Sequence, residues 1–384
     1  MTRRVCVVIT ARPSYNRIRS AMVAIRDHGH LELQVVAAAS ALLDRYGSII
    51  RYLERDGFAI AARVFMVLEG ENLLTMAKTT GLGLIEMATV FDSLSPDVVL
   101  TIADRHETLA TAVAAAYMNI PLAHVQGGEV TGSIDDRVRH AVTKLANVHF
   151  VSTEKAGERV IRMGEDPAAV FVTGCPSIDL AKEVLDHPEM DFDPFQRYGG
   201  VGPRFDLTEG YLVVMQHPVT TEYAAARQHV TETLSAVRDL GWPALWFWPN
   251  VDAGSDGTSE GIRAFRELQS PPHIHVFKNM APVDFLRLVH HSRCVVGNSS
   301  VALREGSFLG VPAVNIGSRQ AGRERGRNVV DVGYDRREIA EAILAMGRNG
   351  RFPSDTLYGH GRAGQRIADL LATVPLPVEK RLTY

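Results

Sequence analysis

The stretch VVLTIADRHETLATAVAAAYMNIPLAHVQGGE, residues 98–129, decides the fold class. Its opening run, Val98–Ile102, is apolar and largely β-branched without polar alternation, the pattern of a strand buried on both faces. Glu107–Asn119 then repeats apolar residues at three- and four-residue spacing, as a helix with one buried face does. Leu122–Val125 returns to a short apolar run. Strand, helix and strand in roughly thirty residues make a βαβ unit, whose two strands lie parallel. Polar residues gather where each strand ends, ADRHE at 103–107 and HVQGGE at 124–129, and ligands of open α/β sheets bind beyond the carboxyl ends of strands.

The same alternation extends outward from this unit. Strands are expected at Val5–Thr10, Leu33–Ala38, Ala62–Val67, Val148–Ser152 and Val170–Gly174, and helices at Ser14–Asp27, Leu73–Leu94, Arg137–Asn147, Thr153–Met163 and Ser177–Leu185. Over His187–Leu207 the periodicity gives way to Pro, Gly and Asp, which reads as an interdomain connection. A second series follows. Its strands are expected at Tyr211–Gln216, Leu245–Pro249, His275–Lys278, Cys294–Gly297 and Ala313–Ile316, and its helices at Thr221–Leu240, Gly257–Leu268, Pro282–His290, Ser300–Leu309 and Arg337–Met346. The expectation is an α/β protein of two doubly wound domains, 1–186 and 208–362, joined by a linker at 187–207, with a cleft between them. The helical stretch Ala363–Leu371 either completes the second domain or, with the tail to residue 384, crosses back to the first.

Composition narrows the function classes. At 384 residues the chain is long enough for two or three domains of about 150 residues. Hydrophobic residues make up 46% and charged residues 22%, which excludes a disordered or coiled-coil chain. Lys+Arg 41 against Asp+Glu 44 gives a net charge of −3, so no basic field favours nucleic acid or an anionic membrane. Cys6, Cys175 and Cys294 lack the spacing of a zinc site or a disulfide framework. No metal is expected, and no apolar stretch reaches membrane-spanning length. A cytoplasmic protein acting on a small molecule is the expectation. Nicotinamide and P-loop chemistry lose support, because GxGxxG and GxxxxGK[ST] are absent and Gly81-Leu82-Gly83 lies inside a helical segment.

Several strand ends carry candidate chemistry. Arg12-Pro13-Ser14-Tyr15-Asn16 follows the first strand, where a helix start would aim free amides and Arg12 at an anion, or where Ser14 is simply an N-cap. Asp104, Arg105, His106 and Glu107 put four ionisable groups where a buried strand meets a helix. Gly127 and Gly128 permit close approach of backbone to a ligand. Asp135 and Arg139, four apart, are expected to pair on one helix face. Glu129 and Asp136 crowd the same strand end, and crowded carboxylates raise one another's pKa for acid–base work. In the second half the candidates are QHPVTTE (216–222), PNVDAG (249–254), and Asn298, Ser299 and Ser300 ahead of Glu305 at a helix start, where hydroxyls suit a phosphate and the carboxylate a ribose diol. Four arginines between Arg319 and Arg327, interleaved with glycines, read as an anion-binding loop.

Taken in order, ADRHE (103–107), HVQGGE (124–129), IDDRVRH (134–140), QHPVTTE (216–222), PNVDAGSDG (249–257) and GNSSVALREGSFLGVPAVNIGSRQAGRERG (297–326) resemble the UDP-N-acetylglucosamine 2-epimerases. The likeness is greatest to the hydrolysing branch, which releases N-acetylmannosamine and UDP for sialic-acid-type pathways. It implies two Rossmann-like domains in a GT-B-like arrangement, a homodimer, no cofactor, and UDP held mainly by the second domain. By resemblance Arg12 and Arg105 lie on the diphosphate side, and Asn16 falls where the family often has serine. His217, Asn250, Ser299, Ser300, Glu305 and Arg319 fall where relatives bind phosphates, ribose or uracil, with Met280 near the base through its backbone. Asp104, Asp135, Asp136 and Arg139 match positions with catalytic or sugar-orienting roles. Two departures stand out. Gln126 replaces a glutamate of many relatives, so that acid–base role is either absent or carried by Glu129, and Ser14 stands where an acidic residue is common.

The chemistry this implies is anti elimination, since the C2 proton of a sugar has no carbonyl to stabilise its loss. UDP departs from C1 while a carboxylate removes the C2 proton, and hydration of the 2-acetamidoglycal follows. Asp104, Glu129, Asp135 and Asp136 are the expected acid–base groups, Arg139 their orienter and His217 a phosphate contact. Gln126 is counted on the substrate side. Rival readings are the same chemistry on a UDP-2,4-diacetamido or GDP-linked sugar, a non-hydrolysing epimerase, a GT-B glycosyltransferase, and a nucleotide-sugar sensor without catalysis.

Overall fold

Two parallel sheets, of seven and six strands, frame the chain. The computed structural model describes residues 2–43, 49–70, 72–102, 105–131, 135–249, 255–269 and 271–383. In the first half they are β1 (Arg3–Ile9), α1 (Arg12–Arg26), β2 (Leu31–Ala38), α2 (Ile49–Arg55), β3 (Ile60–Val64), α3 (Leu73–Leu94), β4 (Val98–Ile102), α4 (His106–Tyr117), β5 (Leu122–Val125), α5 (Asp135–Leu145), β6 (Val148–Val151), α6 (Glu154–Arg162), β7 (Val170–Val172) and α7 (Pro176–Asp186). In the second they are α8 (Pro194–Tyr198), β8 (Leu212–Met215), α9 (Ala226–Leu240), β9 (Ala244–Phe247), α10 (Ser255–Gln269), β10 (Ile274–Phe277), α11 (Pro282–His291), β11 (Cys294–Gly297), α12 (Glu305–Phe308), β12 (Ala313–Ile316), β13 (Val329–Val332), α13 (Arg336–Arg348) and α14 (Ala363–Thr373).

The chain divides into two units. The first holds Met1–Glu129, Ile134–Leu180 and Tyr358–Tyr384, and the second Val130–Ser133 and Ala181–Leu357. The first sheet runs β3-β2-β1-β4-β5-β6-β7, so its strand order reverses between β1 and β4. Because successive side chains point to opposite faces, β1 serves two cores. Val5, Val7 and Ile9 pack with Tyr15, Ile18 and Met22 of α1 and Ile367 and Leu371 of α14. Cys6 and Val8 pack on the other face with Met87 and Phe91 of α3 and Ala110 and Ala114 of α4. Burial pushes the Cys6 thiol up to about 12, so it behaves there as a small apolar group. The return of α14 to the first unit is anchored by Asp179, whose carboxylate accepts from the amides of Ala363 and Gly364 at 2.8 and 2.7 Å, an N-terminal cap supplied by another helix.

The second sheet runs β10-β9-β8-β11-β12-β13 and reverses between β8 and β11. Leu212, Val214, Trp246, Val296 and Val314 meet Val230, Leu234 and Val237 of α9 and Ile339 and Ile343 of α13 on one face. Residues 187–207 belong to this unit. Their α8 begins at Pro194 behind the N-cap Asp193, Val201 bridges Val276, and the ring of His275 hydrogen bonds the carbonyls of Gly199 and Pro203.

Val98–Ile102, Leu122–Val125 and Leu73–Leu94 form as the periodicity indicates. Elsewhere the structure corrects it. The expected helix Thr221–Leu240 is split, because Thr220–Ala225 is a 3-10 turn bent at Glu222 (φ −122°, ψ 20°), and α9 starts only at Ala226. The expected helix Ser300–Leu309 shrinks to Glu305–Phe308, since Arg304 leaves helical geometry (φ −104°, ψ −82°). The strand β13 escapes the apolar pattern because it is a four-residue edge carrying Asp331 and half-exposed valines. Short α2 and α8 are too brief for a period to register.

Candidate functional site

The strand-order reversal in each sheet is where crossover connections diverge and loops leave room for a ligand, and the singled-out residues follow the strands at those reversals (β1, β4, β8, β11) or the neighbouring strands β5, β9, β10 and β12. In the first unit, β1 leads into Arg12, the first residue of α1. Ala11 is the N-cap and offers no side-chain bond, so Ser14 is not the cap; its hydroxyl lies 3.4 Å from that of Thr10. Burial lowers the Arg12 guanidinium pKa, opposed by Tyr52. Asn16 Oδ1 is buried with no hydrogen-bond partner.

Beyond β4, Arg105 caps α4 and lays its guanidinium on Glu107, Nε to Oε2 at 3.2 Å and Nη2 to Oε1 at 3.1 Å. His106 Nδ1 lies 3.3 Å from the same carboxylate. Glu107 is 2% exposed. Burial acts to raise its pKa, but Arg105 and His106 outweigh it and hold the carboxyl below its ordinary range. Glu107 is therefore the counter-ion that fixes Arg105, a role the sequence did not separate from the other charges of ADRHE. Asp104 lies outside the described residues, as does Asn250 with its neighbours 251–254.

The end of β5 is tightly constrained. Gln126 has a left-handed backbone (φ 67°), rare and strained for a residue other than glycine. Its amide N–H donates to Phe150 O at 2.9 Å, and its side-chain Nε2 to Cys175 Sγ at 2.9 Å. Gly128 (φ 73°) is required for a reason other than ligand approach: a Cβ there would stand 2.1 Å from the Ala156 carbonyl of α6. Glu129 is buried, and Ser152 Oγ donates to its Oε1 at 2.9 Å.

Arg139, 1% exposed on α5, gathers the surrounding polar groups. Its Nη1 donates to Glu129 O at 2.8 Å and to Asp136 Oδ1 at 2.5 Å. Asp136 and Arg139 thus form an ion pair at three-residue spacing, on the helix where Asp135 and Arg139 were expected to share a face. Asp135 and Asp136 occupy the first turn of α5, at the positive end of the helix dipole. The arrangement provides a buried carboxylate, a second carboxylate held by a fixed guanidinium, and a strand end whose backbone conformation is set.

In the second unit β8 and β11 end side by side, Met215 opposite Gly297. Gly297 (φ 123°) allows contact that a side chain would forbid, since a Cβ would stand 2.1 Å from Met215 O. Asn298 then locks the two strand ends. Its Oδ1 accepts from the His217 amide and its Nδ2 donates to the His217 carbonyl, both at 2.8 Å. Its own carbonyl accepts from Arg319 Nη1 at 3.3 Å and Gln320 Nε2 at 2.9 Å. Asn298, a candidate from its place at the end of β11, thus organises the site together with Gln320, which had been given no individual role.

Ser299 and Ser300 lie in turns; Ser300 O accepts from the Leu303 and Arg304 amides at 3.1 Å, so no long helix points at them. Glu305 Oε2 is buried without a hydrogen-bond partner, as a seat for a donating ligand would be. Met280 is buried, and its amide donates to Asn279 Oδ1 at 2.9 Å. The four arginines of the expected anion loop differ in their surroundings. Arg319 donates to Asn298 O at the strand ends, Arg323 is buried, Arg325 is paired with Asp331 and donates to Gln320 O at 2.7 Å, and Arg327 is exposed. Among the described residues, no three His, Cys, Asp or Glu side chains are grouped to hold a metal, and no helix is long and apolar enough to cross a membrane.

The sequence profile of the UDP-N-acetylglucosamine 2-epimerases matches residues 23–372. The chain is 31% identical over 377 residues to a hydrolysing UDP-N,N'-diacetylbacillosamine 2-epimerase of Legionella pneumophila, covering 98% of this chain and 97% of that protein. It is 28% identical over 375 residues to a UDP-N-acetylglucosamine 2-epimerase of Neisseria meningitidis serogroup B, covering 97% and 95%. Its fold is the GT-B-like fold of the Methanocaldococcus jannaschii UDP-GlcNAc 2-epimerase solved with UDP-GlcNAc and UDP, with a TM-score of 0.80 at 17% identity over 96% of this chain and 99% of that one.

Proposed function

The chain belongs to the UDP-N-acetylglucosamine 2-epimerase family and is a nucleotide-sugar 2-epimerase, and from that premise we propose that it converts UDP-N-acetylglucosamine and water to N-acetylmannosamine and UDP. The observation that carries the reading is Arg139, which bonds the Glu129 carbonyl and the Asp136 carboxylate at once and so assembles an acid–base group beside a fixed cation. Hydrolysis rather than return of the nucleotide sugar is supported by the hydrolysing relative matched along nearly the whole chain.

In this mechanism the C1–O bond breaks with its electron pair leaving on UDP, and a carboxylate among Asp104, Glu129, Asp135 and Asp136 takes the C2 proton, giving the 2-acetamidoglycal. Water then adds its oxygen to C1, and a proton returns to C2 on the opposite face. Two protonation events on two faces need at least two acid–base groups, which the carboxylates supply. Arg12, Arg105, His217 and Arg319 hold the leaving diphosphate, whose charge grows as the bond breaks. Ser299, Ser300 and Glu305 take phosphate and ribose, Asn250 and Met280 the base side, and Asn16 and Gln126 the remaining substrate polar groups.

A second reading keeps the chemistry and changes the sugar to a UDP-2,4-diacetamido sugar, favoured by the 31% identity to the diacetylbacillosamine enzyme. Incubation with each UDP-sugar and with GDP-N-acetylglucosamine, without any acceptor, separates these readings by nucleoside diphosphate release followed in phosphorus NMR. Release of UDP from UDP-N-acetylglucosamine is expected. Release from the diacetamido sugar alone moves the assignment there, and release that waits for an acceptor makes the protein a glycosyltransferase.

A further inference from the structure

We propose that Glu222 is a positioning residue that presents Arg319 to the nucleotide, acting from the turn after β8 on the loop after β12. The inference rests on the reading of Arg319 as a diphosphate contact. The strands β8 and β12 are not neighbours, because β11 lies between them, so their loops need a tie of their own to keep a fixed spacing. Glu222 supplies it. Its carboxylate accepts from Ser318 Oγ at 2.5 Å through Oε1 and from Tyr334 OH at 3.1 Å through Oε2. His229 stacks on the Tyr334 ring, centroids 3.5 Å apart and planes 7° from parallel, with Nδ1 3.8 Å from Glu222 Oε2.

The contacts close into a ring. Ser318 precedes Arg319, Arg319 donates to Asn298 O, Asn298 exchanges two bonds with His217, and His217 leads through four residues back to Glu222. Two corners of that ring, His217 and Arg319, are among the proposed diphosphate contacts. The backbone bend at Glu222 (φ −122°, ψ 20°) is what turns its side chain out of the helical path toward Ser318. Charge-assisted hydrogen bonds of this kind are stronger than neutral ones, and fixing a cation before binding spares the ordering a ligand would otherwise have to impose.

Glu222 also borders an open cavity of about 510 Å³ lined by Thr221, Tyr223, His229 and Tyr334. Truncation there admits solvent and leaves no sealed void, so the variant is expected to fold. The test is UDP affinity by calorimetry for Glu222→Ala, Ser318→Ala, Arg319→Ala and the Glu222→Ala/Arg319→Ala double variant, with thermal unfolding alongside. Glu222→Ala is expected to weaken UDP binding about tenfold and Ser318→Ala by a smaller factor, the loss of hydrogen bonds to a charged group. Because Glu222 acts through Arg319, the double variant should bind no more weakly than Arg319→Ala alone. Multiplying losses would overturn the proposal, and so would wild-type affinity in Glu222→Ala beside a weakened Arg319→Ala. If Arg319→Ala itself binds UDP normally, the nucleotide reading of that residue falls and the proposal with it. Should Glu222→Ala unfold, Ser318→Ala carries the same cycle.

Discussion

Glu129 and Gln126 divide the end of β5 between a group that can carry a proton and one that cannot. Gln126 has an amide, which does not titrate in the physiological range, and it is spent on Cys175 while its backbone holds a left-handed turn. Glu129 is buried with Ser152 donating to one oxygen, leaving a carboxylate for acid–base work. Glu129→Gln is therefore expected to lower kcat by about 10²- to 10⁴-fold, the usual worth of a general acid or base, without changing UDP affinity. A kcat near that of the parent protein would remove Glu129 from the mechanism. At this scale the sequence was readable by residue type and strand end, but not by purpose. The glycine pair at 127–128 looked like room for a ligand, yet Gly128 answers to the carbonyl of Ala156, and nothing local distinguishes those two needs. Glu107 was likewise one charge among four until its bidentate contact with Arg105 marked it as a counter-ion.

Helix α5 carries Asp135, Asp136 and Arg139 at one end, and the C-terminal tail fastens the other. Lys380 Nζ donates to the carbonyls of Thr143, at 3.0 Å, and Ala146, where the helix ends. Lys380 and Lys144 both pair with the buried Glu165, at 2.5 and 2.6 Å, and His149 Nε2 lies 3.0 Å from it. Burial alone would raise the Glu165 pKa, but these partners hold it at about 2, below its ordinary 4.5. A carboxyl depressed in the folded state stabilises above the unfolded pKa, so this contribution is whole above about pH 4.5 and is lost as pH falls toward 2. His149 acts in the same direction, because burial lowers its pKa and only the unfolded chain takes up that proton readily below about pH 6.5. Urea unfolding from pH 7 to pH 3 should show stability falling, with Glu165→Gln flattening the part below pH 4.5 by about 1.5 kcal/mol. Parallel pH curves for the two proteins would contradict this. The helix itself was legible from its period, but its bracing was not, since it joins residues more than two hundred positions apart. The short strand β13 and the four-residue α12 were missed or overdrawn for a related reason: tertiary contacts decide elements too brief to show a period.

Across the whole chain, the repeated alternation of apolar strand and amphipathic helix was enough to read two doubly wound sheets. It was silent on strand order, which depends on where each crossover lands. The matching orders, with reversals at β1/β4 and β8/β11, explain why residues scattered from Arg12 to Arg319 collect at two sets of strand ends. The return of α14 to the first unit was also beyond the pattern, because a helix with one apolar face fits either sheet until Asp179 is seen to cap it. Two clusters of different character follow from this frame, one rich in carboxylates and one built around Asn298 and its neighbouring cations. The division of labour proposed for them predicts that the C2–H bond breaks and the nucleotide does not return. Proton NMR of the protein with UDP-N-acetylglucosamine in deuterated water tests both at once. Free N-acetylmannosamine carrying deuterium at C2, formed together with UDP and without an acceptor, is the predicted result; UDP-N-acetylmannosamine as the product, or N-acetylmannosamine that keeps its C2 proton, would contradict it.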